Sequence, residues 1–240
     1  MPVAYEFATI HTDTGPIVEL FLRQQKGQGL PLTPGELSQY KRDLEKKIKN
    51  SLAEGLTCLA RETGADTQRL VAAQITTTDT FEEFESRVLE ESERNSQVDS
   101  RSSGLYRKAQ IFAAANKMVL CQSDEIFSTE EECGNNGRCG EFQFATLEDS
   151  VELCSDEFQT QEIQEHMCQL ILKRAEMMGF STVLAVTTAT SKVELLQKLG
   201  MEPVVKLSLS QLLDEKGKPW VLPTAGEEHI TALEKRLEHF

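Results

Sequence analysis

The cysteines are the most reactive side chains in this sequence. There are six: Cys58, Cys121, Cys133, Cys139, Cys154 and Cys168. They are dispersed, and no secretory leader is read ahead of them, so reduced thiols are expected. Cys133 and Cys139 flank Gly-Asn-Asn-Gly-Arg. A structural metal wants closer pairing or added histidines. The four histidines are scattered, so a loop and no metal site are expected there. Cys154 sits in a short apolar run and is a candidate nucleophile by its type. No basic residue lies near it in sequence to lower its pKa, so the reading for Cys154 is a small core residue. Two intervals suit helix caps: Thr33-Pro34-Gly35-Glu36 and Ser191-Lys-Val-Glu194. Glu36 and Ser191 are therefore read first as capping residues, and as weak candidates for chemistry.

The elements that would position these groups follow from periodicity. Pro2 to Ala8 alternates, with Val3, Tyr5 and Phe7 on one face of a strand. Thr12-Asp13-Thr14-Gly15-Pro16 reads as a helix start, with Ile17, Val18, Leu20, Phe21 and Leu22 as its apolar face. Leu37, Tyr40, Leu44 and Ile48 mark a second helix. Gly55–Glu62 and Arg69–Thr76 read as a hairpin about Gly64-Ala65-Asp66. Residues 82–104 are charged and serine-rich and read as a mobile insertion. A helix is expected over Tyr106–Cys121 and irregular chain over 122–140.

The last third is more regular. Val151–Ser155 reads as a short strand and Thr160 as a helix cap. Ile163, Met167, Leu170, Ile171, Ala175 and Met178 then recur at helical spacing up to Gly179. Ser181–Thr187 is almost continuously apolar, as in a strand buried on both faces. Val193, Leu195, Leu196 and Leu199 give a short helix that Gly200 closes. Met201–Ser210 reads as a strand, and Asp214–Lys218 as a turn before an extended piece at Trp220. His229–Leu237 is helical by propensity.

Bulk properties narrow the class. The chain has 240 residues, 39% of them hydrophobic, and a formal charge of −14. One mixed α/β domain over 1–240 holds that length. The charge repels nucleic acid and anionic lipid and favours a cationic or amine ligand. No apolar run approaches a membrane span. With no signal peptide, myristoylation site or prenylation box read, a cytoplasmic protein is expected.

Four segments carry a resemblance. These are Phe158-Gln-Thr-Gln-Glu-Ile-Gln164, Ala175-Glu-Met-Met-Gly-Phe180, Ala185-Val-Thr-Thr-Ala-Thr-Ser191 and Leu196-Gln-Lys-Leu-Gly-Met201. Together they resemble the GNAT superfamily, in particular its arylalkylamine (dopamine) N-acetyltransferase-like branch. The resemblance implies an α/β fold: a mixed, mostly antiparallel central sheet with a splayed parallel strand pair and helices on both faces. It also implies that His229–Leu237 is a strand, against its propensity.

The implied cofactor is acetyl-CoA and the implied substrate a small amine. Backbone groups at Leu153, Cys154 and Ser155 would hold the pantetheine arm. The segment Gln159, Thr160, Gln161, Glu162, Ile163 and Gln164 would cradle the pyrophosphate on helix N–H groups. The family pattern there is Gln or Arg, two residues, Gly, one residue, Gly or Ala. Gln159 matches the first position, but Glu162 and Gln164 occupy the glycine positions. Glu162 is expected in the helix's first turn, where its carboxylate would stabilise free N–H groups by about 0.3–1 kcal/mol.

The resemblance also places a glutamate before a Pro-Leu pair, where this chain has Leu30-Pro31-Leu32, with Glu36 one turn away as a stand-in. It places a general-acid tyrosine where Leu196 stands, and an active-site serine at Ser191. The expectation is an acetyltransferase-like protein with a degraded, weakened or lost acetyl-CoA site. The alternative is a catalytically inactive binding or scaffold protein on the same frame, serving a protein partner.

Overall fold

A computed structural model of the protein describes residues 2–27, 34–63, 68–80, 143–152, 157–211 and 229–237. In chain order the elements are β1 (Val3–Phe7), α1 (Ile10–Gly27), α2 (Pro34–Ala53), β2 (Cys58–Thr63), β3 (Gln68–Thr80), β4 (Gln143–Glu152) and α3 (Glu157–Met177). They continue with β5 (Thr182–Thr187), α4 (Thr190–Lys198), β6 (Glu202–Ser208), a 3-10 turn (Leu209–Gln211) and β7 (His229–Arg236). The seven strands run in the order β1-β2-β3-β4-β5-β7-β6. The sheet is mostly antiparallel, with one parallel pair, β4 and β5. Expectations outside the described residues include the hairpin turn at 64–66, the insertion at 82–104, the helix at 106–121, the irregular segment at 122–140, the turn at 214–218 and the extended piece at Trp220.

The chain divides into two compact units. The first is Met1–Thr78 with Ala145–Phe180 and Glu238–Phe240. Helices α1 and α2 cover one face of its strands. Ile17, Val18, Leu20 and Phe21 of α1 and Leu44, Ile48 and Leu52 of α2 pack with Leu59, Ala73 and Ile75 of β2 and β3. This is the apolar stripe the sequence marks. Between Ala60 and Arg61 the β2–β3 register slips by one, leaving Val71 as the extra residue. The bulge flips the alternation of β3, so Leu70 joins Ala73 and Ile75 against the helices.

The opposite face carries Tyr5, Phe7, Cys58 and Ala60, paired across β1 and β2. It packs against α3. The His166 ring stacks on Tyr5 at 5.1 Å and 14°, and the Arg174 guanidinium lies 4.1 Å from the centre of the Phe7 ring. Such contacts hold a polar helix on an aromatic strand.

Helix α1 starts earlier than expected, at Ile10, and carries Pro16 inside it. The start signal is Thr9 with Asp13. The Thr9 N–H donates to Asp13 Oδ2 at 2.8 Å, and the Thr9 and Thr12 hydroxyls converge on the same oxygen. Arg61 Nη2 donates to the other carboxylate oxygen, Asp13 Oδ1, at 2.6 Å, and Arg61 also pairs with Glu6. At the far end of α2, Ser51 Oγ donates to the Thr76 carbonyl at 2.8 Å and lies 2.5 Å from Thr57 Oγ1.

Strand β4 begins at Gln143, well before the expected Val151. Phe144, Ala145, Thr146 and Leu147 are buried. Helix α3 begins at Glu157, so Thr160 is a first-turn residue and not the cap. Ile163, Met167, Ile171 and Ala175 are buried as expected, but Met178 is exposed. Gly179, at φ 84°, ends the run, and the Phe180 N–H returns to the Ala175 carbonyl.

The second unit is Asp79–Phe144 with Ser181–Leu237. Strand β5 is buried at every position, as its apolar run requires. It pairs with β7, which pairs with β6. So His229–Arg236 is a strand, as the resemblance implies and against local propensity. Both of its neighbours offer it ladder partners, and Ile230 to Glu234 are buried.

Candidate functional site

The expected cofactor residues that are described belong to the first unit. Leu153, Cys154 and Ser155 lie outside the described residues. Gln159, Thr160, Gln161, Glu162, Ile163 and Gln164 all lie within α3. This corrects the reading of Glu162, which stands in the second turn and not the first. A helix leaves only its first four N–H groups unpaired. With α3 starting at Glu157, the N–H groups from Gln161 onward are spent inside the helix. Glu162 and Gln161 are exposed, Gln164 is half-buried, and Ile163 faces the core. No lysine or arginine occurs between Arg138 and Lys173.

The two weak catalytic candidates fall in different units. Glu36 is the third residue of α2, in the first unit. Ser191 is in the second unit, at the second position of α4, and is exposed. The capping box expected of Ser191 does not form. The N-cap is Ala189, at φ −79° and ψ 115°, and it makes no side-chain cap bond. The cap thus lies two residues before Ser191, and Thr187 Oγ1 accepts the Ala189 N–H at 3.2 Å. Leu30 lies outside the described residues. Leu196 is fully buried under α4, so it anchors the helix to the sheet and offers no proton.

The second unit brings together polar groups that sequence spacing did not link. Thr187 ends β5 and pairs with Thr231. Ser208 ends β6 and pairs with His229. Ser208 Oγ lies 2.7 Å from Ser210 Oγ. Residues directly opposite in a ladder share a face. The signal lay in strand register, which depends on β7 being a strand, and the helical propensity of His229–Leu237 concealed it.

The candidate thiol, Cys154, lies outside the described residues. Cys58 and Cys168 are buried and form no disulfide. Burial, first of all, pushes the Cys58 thiol up to about 12, and neighbouring Cys168 adds to the shift. Such a thiol is a poor nucleophile. Among the described residues no cluster of His, Cys, Asp or Glu suits a metal ion. Among the described residues, no helix is long and apolar enough to cross a membrane.

No family model matches the sequence, and no curated protein does. Solved structures do. A polyamine N-acetyltransferase of Drosophila melanogaster, which forms N-acetylagmatine, is 13% identical, with 98% of this chain and 100% of that chain covered and a TM-score of 0.72. A mosquito arylalkylamine N-acetyltransferase, like 5b, is 14% identical, with the same coverage and a TM-score of 0.69. The C-terminal condensation domain of Ebony, solved with β-alanyl-dopamine, is 10% identical over 99% of this chain and 100% of that chain, with a TM-score of 0.61. At such identities the likeness is one of architecture, and it agrees with the strand order and the single parallel pair: the chain has the GNAT acetyltransferase fold.

Proposed function

We propose that the protein is a single GNAT-like domain over 1–240, with an insertion at about 82–104, that transfers an acyl group from a thioester, nominally acetyl-CoA, to a small amine in the cytoplasm. The observation that carries this reading is the full-length likeness to enzymes named for amine acetylation. The charge of −14 suits a cationic acceptor.

The pyrophosphate of acetyl-CoA does not fit this chain well. Glycines at positions 162 and 164 would let phosphates approach the backbone. Here those positions carry longer side chains on a continuous helix. A carboxylate about 5 Å from a phosphate charge costs roughly 3 kcal/mol at an effective dielectric near 20, before screening. Glu162 is exposed, so salt and water reduce that to about one decade of affinity. In this reading Leu153, Cys154 and Ser155 hold the acyl-bearing arm, and the nucleotide contributes little.

A second reading is a catalytically inactive binding or scaffold protein with a protein partner. It is favoured by Leu30, Glu162, Gln164 and Leu196 standing together where the resemblance expects chemistry. The two readings separate in one assay: purified protein, millimolar acetyl-CoA, and agmatine or phenylethylamine as acceptor. Acyl transfer above the uncatalysed rate supports the enzyme. Its absence with both acceptors leaves the scaffold reading.

A further inference from the structure

We draw no further inference here: the strongest candidate, the exposed cationic face of α2 formed by Lys41, Arg42, Lys46 and Lys49 in a chain of charge −14, carries nothing because nothing in the structure shows what covers it.

Discussion

Asp13 and Thr146 show the two fates of a buried polar side chain in this protein. Asp13 accepts from a backbone N–H, two hydroxyls and Arg61. Thr146 Oγ1 is buried with no hydrogen-bond partner among the described residues. An unsatisfied buried hydroxyl costs about 1–3 kcal/mol, and a same-shaped apolar side chain avoids that cost. Thr146→Val is therefore expected to leave the fold intact and raise stability by about 1 kcal/mol in denaturant titration. Cys58 makes a pH-dependent contribution of known sign. Its thiol is pushed from 9.0 up to about 12 in the folded protein, chiefly by burial. The unfolded chain thus releases this proton at lower pH than the folded one. The contribution is complete below about pH 9 and is lost as pH rises towards 12. Thermal melts of wild type and Cys58→Ala across that range should converge as pH rises. The residue scale was partly legible in the sequence. The buried apolar residues of α1 and α2 follow from their spacing. The Asp13–Arg61 pair does not, because it joins residues 48 apart in sequence.

At the scale of elements, apolar periodicity was a good guide wherever one face is buried. The α1 and α2 stripes and the continuous run of β5 all appear as read. Termini were less legible. Thr9 with Asp13 is a start signal hidden behind the more obvious Thr12–Pro16. Ser191–Glu194 has capping-box spacing, yet α4 opens two residues earlier with Ala189 at its cap. That bare cap is an opportunity. Ala189→Asp is expected to stabilise by about 1 kcal/mol, raising Tm by about 2–4 °C. An unchanged Tm would mean the Thr187 contact already supplies what the cap lacks. The most consequential miss was the start of the segment expected to cradle the phosphates, read as a helix capped by Thr160 and found in a helix that already begins at Glu157. Its residues Gln159, Gln161, Glu162 and Gln164 favour helix once the chain has no glycine to stop them. For this reason Glu162→Gly would cost the helix about 1 kcal/mol. Glu162→Gln is the cleaner change: it removes the charge and keeps the helix. It is expected to tighten acetyl-CoA by about tenfold in direct titration. No change would show that Glu162 does not face the phosphates.

For the molecule as a whole, fold and function separate. Architecture survives at 13% identity because it rests on burial pattern and strand order. A phosphate site rests on a few glycines and free N–H groups, and single substitutions remove it. The strand β7 illustrates the same point in reverse: its residues favour helix, and only its place between β5 and β6 makes it a strand. The site hypotheses therefore divide. The pairings of Thr187 with Thr231 and of Ser208 with His229 depend on long-range register and could not be read locally, while Glu162 and Gln164, where the resemblance expects glycines, were visible from the sequence once the pattern was supplied. The central claim is that this fold holds an acyl thioester with little help from the nucleotide diphosphate. Calorimetric titration with acetyl-CoA beside S-acetylpantetheine tests it most directly. The account predicts that both bind, with affinities within about tenfold of each other. Micromolar binding of acetyl-CoA with no detectable binding of S-acetylpantetheine would contradict it, since the nucleotide would then supply most of the affinity.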